Sequence, residues 1–321
     1  MKHGSWQKRI GSYLRRLLVG FVLSAAALFV NAGGASITVL LSGPQPYYQE
    51  VLAVFEQVLS SQSNAPLVHT YGLDQAVSVE PGSTVVAVGS RASEFALKHF
   101  ANADILSLLM PAVAWDELCA SLPGSGRRAA VLIDQPLERP LALGQLLVPS
   151  AKRVGAVFGP VSVASKPQLI SAAERRGIEL IYADLASDDN PIVVLSPLVQ
   201  KTDLFIAVAD RAVFNKSVAK WLLYLSFRQK VSVIGFSQSY AKAGALAAVF
   251  SSPENIGRHG AELIGTLLAA EGEGAAARWR SYYPEYYTLE INREVARALN
   301  ITVPELQTLY RDYQSVLESY Q

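Results

Sequence analysis

One cysteine in 321 residues excludes an internal disulfide. Cys119 lies far from the N-terminus, so it cannot anchor a lipid there, and it reads as a small buried apolar side chain. Histidine is almost as scarce. After the first 35 residues only His69, His99 and His259 remain, none with a His or Cys at ligand spacing, so no metal and no cofactor are expected. Charge is also low: 17% of residues are Asp, Glu, Lys or Arg, with a formal net charge of +1. Past the first 35 residues the balance is acidic, 23 positive against 27 negative charges, so nucleic acid, which needs a basic face, is not expected as a partner. Past residue 30 no apolar run reaches membrane-spanning length, so the body of the chain is expected to be soluble.

The first 35 residues differ from the rest. Lys2, Lys8, Arg9, Arg15 and Arg16 come without an acidic residue, and "LLVGFVLSAAALFV" (17–30) follows. Small residues at Gly33 and Ala35 then complete a secretory signal, with cleavage expected near Ala35. An uncleaved anchor is the competing reading, but a span needs about 20 apolar residues. Removing residues 1–35 leaves 23 positive and 27 negative charges, a net of −4.

Half the residues are hydrophobic, enough for two lobes of about 100–150 residues each. Apolar, β-branched runs recur at 37–41, 84–89, 104–110, 129–134, 153–159, 178–183, 203–210 and 231–237. Amphipathic segments stand between several of them, with Val51, Val54, Phe55, Val58 and Leu59 on one helical face, and Phe214, Val218, Trp221, Leu222 and Leu225 on another. The runs are continuous where exposed strands would alternate, which predicts parallel strands buried on both faces. One strand–helix series precedes about residue 140 and another follows it. The expected fold is α/β, two doubly wound parallel-sheet lobes joined by a hinge.

Ligands of such sheets sit beyond the carboxyl ends of the strands. The loops there are 42–48, 89–93, 159–165, 210–213 and 236–240. Helix starts carrying Ser or Gly suit a carboxylate or phosphate. Asp210 suits an ammonium group, and Tyr47, Tyr48, Phe236 and Tyr240 suit an apolar body. The expected contacts are Ser42, Tyr47, Ser90, Asp210, Ser237 and Tyr240, together holding a small zwitterion or similar polar-ended molecule. Each has a plainer role available: the tyrosines can pack the first helix, and Asp210 can cap the helix starting near Val213.

Catalytic patterns fail on inspection. "GFSQS" (235–239) opens like a nucleophile elbow but has Ser239 where the second glycine belongs, and His259 is the only histidine downstream. "GSGRRA" (124–129) fits a dinucleotide pattern by letters, yet it precedes a strand and reads as a turn. No catalytic residue is expected.

From residue 148 the pattern resembles a known family. "VPSAKRVGAVFGP" (148–160) supplies Pro149, Lys152, Arg153 and Gly155, followed by "AAERRGIEL" (172–180), "DLFIAVAD" ending at Asp210, and "AGALAAVFSSPENIGRHGAELIGTLLAAEG" (243–272). "LEINREVARALNITVPE" (289–305) closes the series through Ile291, Asn292, Ala296, Ala298, Leu299, Ile301 and Pro304. These segments are similar to the substrate-binding proteins of ABC transporters, of the type I periplasmic-binding fold, in the subfamily linked to aromatic or branched amino acids. The resemblance runs from about 145 to 310 and is loose over 36–144. There, "LPGSGRRAAVLID" stands where relatives carry a "P-G-g-N-v-T-G" loop.

That resemblance implies a signal peptide (1–35), a first lobe of 36–138 with a return segment 246–272, and a second lobe of 139–245 with 273–321. The strand after Gly244 would lead back to the first lobe, and Gly257 would open a helix there. It further implies a monomer in the periplasm that captures a small solute between its lobes and delivers it to an ABC permease of the inner membrane. The alternative is an adaptor or sensor of the same fold that signals to another envelope protein.

Overall fold

The computed structural model describes residues 36–319, apart from 63–64, 81, 187, 213–214, 271–273 and 275. The expected leader and Phe214 therefore lie outside the described residues. Two six-stranded sheets organise the chain. The first contains β1 (Ser36–Leu41), β2 (Leu67–Gly72), β3 (Thr84–Val88), β4 (Asp104–Met110), β5 (Arg128–Leu132) and β11 (Ser281–Tyr282), in the order β11-β5-β4-β3-β1-β2. All of its pairings are parallel. The second contains β6 (Arg153–Phe158), β7 (Glu179–Asp184), β8 (Leu204–Ile206), β9 (Ser232–Gly235), β10 (Ala247–Phe250) and β12 (Thr288–Ile291), in the order β12-β10-β9-β8-β6-β7. Only β12 runs antiparallel to its neighbour.

The continuous apolar runs are what they were read to be. All five residues of β3 are buried, as are all of β8 and β9. Helices cover both faces of each sheet, giving each lobe two core clusters. The helix Pro46–Ser60 starts with proline at its first position, where the missing N–H costs nothing, and buries Val51, Phe55 and Leu59 at i, i+4 and i+8. It packs on Pro253–Ala269, which a capping box between Ser252 and Asn255 starts. Full burial of each large side chain in this pair stabilises the lobe by about 1.5–3 kcal/mol.

The strand after Gly244 differs from expectation. Residues 247–250 remain in the second sheet, paired with β9 and β12, and the chain passes to the first lobe only at Ser251–Ser252. It stays there to add β11 to the first sheet, and β12 then rejoins the second. There are thus three crossings: 133–137, 251–252 and 283–287. They are tied together. Gln135 Nε2 donates to Ser251 Oγ (2.9 Å), which donates to the Tyr286 carbonyl (2.5 Å). Arg139 Nη1 donates to Gln135 Oε1 and to the Pro284 carbonyl, both at 2.7 Å, and its guanidinium lies 4.7 Å over the Tyr287 ring. Tyr313, on the helix Leu306–Glu318, donates to the Arg139 carbonyl. Among the described residues no helix is long and apolar enough to cross a membrane.

Candidate ligand site at the strand ends

The strand orders place a topological switch in each sheet: between β1 and β3 in the first, and between β6 and β8 in the second. At such a point the chain leaves neighbouring strands toward opposite faces and opens a crevice at their carboxyl ends. Most of the expected contact residues stand at these two crevices, and the structure shows how each is employed.

In the first lobe, Ser42 follows β1 and is 4% exposed. Its Oγ accepts the Ala92 N–H at 2.9 Å and so caps the helix Ser90–His99 from across the crevice. Gly89 precedes that helix at φ +89°, and a Cβ there would meet Ser42 Oγ and the Tyr48 ring within 3 Å. Only glycine fits so close a seam. Tyr47 is 45% exposed and leans on Tyr48, with ring centroids 4.2 Å apart. The Ser90 hydroxyl is exposed at the start of its helix. Tyr47 and Ser90 therefore remain open to a partner, whereas Ser42 is engaged internally.

The second lobe closes its crevice more firmly. Asp210 Oδ2 accepts from Val161 N–H (3.0 Å), Ser162 N–H (2.7 Å) and Ser162 Oγ–H (2.9 Å), and its Oδ1 accepts from Ala212 N–H (2.9 Å). At 3% exposure, this carboxylate is committed to holding the loop after β6. Ser237 caps the helix Gln238–Ala243, accepting the Tyr240 N–H at 3.3 Å. Tyr240 is 7% exposed with its Cβ against Gly235 and its ring 4.8 Å from Phe236, inside the second-lobe core. Its hydroxyl has no partner, and burial raises its pKa. Among the described residues no hydrogen bond or ring contact joins the first-lobe set to the second-lobe set.

Nothing here forms a hydrolase. His259 belongs to the helix Pro253–Ala269 of the first lobe, where its Nδ1 accepts the Glu285 N–H at 3.2 Å. Burial lowers its pKa, against the upward pull of Glu285 and Glu262. Ser237 has no imidazole beside it and is a helix cap. Gly124 and Gly126 press against the backbone of Ala101 and Ala103, as a turn does. Among the described residues no group of three His, Cys, Asp or Glu gathers as a metal site. A hollow of about 460 Å³ does occur, but at the amino ends of β6, β8 and β9, and its charged walls Arg153 and Asp203 are already paired at 2.6 Å.

Sequence reasoning passed over the residues at the crossings. Asp134 follows β5, and its Oδ2 takes the Ala112 N–H at 2.7 Å, at the start of the helix Ala112–Ser121. Burial raises its pKa. Ile133 and Tyr283 are 44% and 42% exposed beside it, at the ends of β5 and β11. Burial raises the pKa of Tyr283, and Gln168 of the second lobe, whose Oε1 accepts the Leu137 N–H at 3.3 Å, pulls it down. The signal used for Asp210, a carboxylate at the end of an apolar run, was present at Asp134 too.

Comparison with known proteins agrees with this architecture. A ligand-free, open substrate-binding protein with adhesive properties from Clostridium difficile superimposes with a TM-score of 0.63 at 16% identity, over 85% of this chain and 97% of that one. A conserved domain protein from Vibrio cholerae gives 0.54 at 18% identity, over 87% and 98%. An ABC domain in complex with L-Trp from Streptococcus pneumonia gives 0.53 at 16% identity, also over 87% and 98%. Among curated protein sequences none matches. At these identities the structures establish the fold, a two-lobed periplasmic-binding architecture. A family model described as ABC transporter substrate binding protein matches residues 75–312. Such proteins bind small molecules, work with ABC permeases and are not enzymes. The chain belongs to the family of ABC transporter substrate-binding proteins.

Proposed function

We propose that this protein is the periplasmic solute-binding component of an ABC importer, and that it closes on a small polar-ended solute with an apolar body. The lobes in this reading are 36–138 and 139–245, completed by the later segments that cross between them. The observation that carries it is the placement of exposed apolar side chains. Tyr47, Ile133, Val163 and Tyr283 are each 42–45% exposed, and all stand beyond the carboxyl ends of β1, β5, β6 and β11. Four such residues on the crevice side of two sheets suit a solute with an aromatic or aliphatic body. Tyr47 and Ser90 are the first-lobe contacts, and the Ser237 loop faces them from the second lobe. Closure about the three crossings makes the form that the permease recognises. The basic, apolar leader at 1–35 directs export.

A thermal-shift screen of the purified protein against the standard amino acids tests this. Because the L-Trp complex belongs to a relative of the same fold, aromatic amino acids come first. A ligand at 100 times its Kd stabilises the native state by about 2.7 kcal/mol, an easily measured rise. A flat response across amino acids, amines and carboxylic acids would refute solute binding. One feature favours the second reading, an envelope adaptor without a transported ligand: Asp210 and Ser42 spend their polar atoms on the chain itself. That reading predicts the flat response together with capture of an envelope protein.

A further inference from the structure

Resting on the solute-binding reading, we propose that Asp134, and not Asp210, is the carboxylate that receives a protonated amine of the solute, with Tyr283 as the adjoining wall.

The argument is one of unmet electrostatic need. Asp210 satisfies both carboxylate oxygens with four donors, three from the loop after β6 and one from Ala212, and has nothing left to offer. Asp134 is the opposite case. Among the described residues its one hydrogen-bond donor is the Ala112 N–H, at 2.7 Å. None of the ion pairs among the described residues includes it. A part-buried carboxylate held by one neutral donor, with no cation, is a costly arrangement that a bound cation relieves. Beyond burial, Asp134 and Asp116 both push the Tyr283 phenol up, so the wall beside the carboxylate is a region of negative potential.

Position makes the site reachable from both lobes. Asp134 lies where the carboxyl end of β5 meets the start of the helix Ala112–Ser121, on the first of the three crossings. Tyr283 lies on the third. Tyr282 pairs with Val131 of β5, so Tyr283 stands beside the end of β5 that carries Ile133 and Asp134, within electrostatic reach of Gln168 on the second-lobe helix Lys166–Arg175. Ile133 and Tyr283 supply exposed apolar surface beside the charge. An ammonium group next to an apolar or aromatic body matches the pair. Closure would desolvate the contact further and strengthen it.

The plain alternative is that Asp134 only caps the helix Ala112–Ser121. Asp134→Asn separates the two roles, because the amide oxygen still accepts the Ala112 N–H while the charge is gone. The experiment compares melting temperatures of the wild type and Asp134→Asn with matched ligands: each standard amino acid and its deaminated acid, for example L-tryptophan against indole-3-propionate, with tryptamine and tyramine added. For the wild type, the amine-bearing member of the active pair is expected to bind at least 10-fold more tightly. In Asp134→Asn that preference should collapse to within about 2-fold, with the ligand-free melting temperature unchanged or raised. Equal binding of both members by the wild type overturns the assignment while leaving solute binding intact. So does an undiminished amine preference in Asp134→Asn. If Asp134→Asn fails to fold, Asp134→Ser, whose hydroxyl oxygen can also accept the Ala112 N–H without a charge, is read in its place. Absence of any shift across the panel overturns the solute-binding reading and takes this assignment with it.

Discussion

The helix Pro253–Ala269 contains two glycines whose replacement by alanine should have opposite fates. At Gly257, an added Cβ would lie 2.5 Å from the Val51 carbonyl oxygen and 3.3 Å from the Phe55 nitrogen. Both are backbone atoms of the helix Pro46–Ser60, so no side chain can swing aside. Ordinary contact is about 3.5 Å, and the two helices must part by about 1 Å. That separation loosens Val51, Phe55, Leu59, Ile256 and Ile264, each 1% exposed or less. Overpacking of this kind costs about 3 kcal/mol at the upper end. Alanine's better helix propensity returns about 1 kcal/mol, leaving a net loss of about 2 kcal/mol. At Gly265, the nearest atom is Gln62 Oε1 at 2.5 Å, the tip of a flexible side chain. Gln62 can turn away, giving up its 3.1 Å hydrogen bond to the Ala261 carbonyl. The loss of about 1 kcal/mol is offset by the same propensity gain, and the net is near zero. Urea denaturation reads the difference: Gly257→Ala should lower the midpoint at unchanged m, and Gly265→Ala should leave it in place. Equal midpoints for the two variants would refute the reasoning, because propensity alone predicts equality.

Two further outcomes follow from single contacts. Asp203 is held at about 2, below its usual 3.8, chiefly by its hydrogen bond with Arg153 and then by two backbone N–H groups. A depressed carboxylate gives stability that is present above pH 4 and lost as pH falls toward 2. The stability gap between wild type and Asp203→Asn should therefore close across that window, and a constant gap would show that the charge is not its source. The Tyr240 hydroxyl is buried without a partner, so Tyr240→Phe should be neutral or stabilising by up to about 1 kcal/mol in thermal unfolding. A loss of more than about 1 kcal/mol would mean that the hydroxyl is bonded after all.

Much of the architecture was legible because buried parallel strands write themselves as unbroken apolar runs. The segments 37–41, 84–89, 104–110 and 153–159 became β1, β3, β4 and β6 with little change. Elements escaped notice where that signal fails. The strand β2 is an edge, mostly exposed, and shows neither a run nor an alternation. The helix Pro191–Gln200 carries Pro197 inside it and β-branched residues at its start, which disguise it as a loop or strand. The strand β11 is two residues long and exists only because β5 is there to pair with it.

For the site, position was legible and commitment was not. Apolar runs locate strand ends, so Ser42, Asp210 and Ser237 were found at crevices. Whether a polar atom faces a ligand or its own backbone depends on loops that meet across the sheet. Ser42 caps a helix 50 residues away, and Asp210 ties down a loop 48 residues upstream. No local pattern encodes either bond.

The edge strand β11 bears on how the chain comes to be assembled. The first sheet is finished by residues 281–282, and the helix packed most closely on Pro46–Ser60 is built from residues 253–269. A polypeptide emerging amino-end first must release almost its whole length before its earliest core can close. Until then the early strands stay uncovered, a condition suited to threading through a secretion channel and hazardous for a chain left waiting in the cytosol.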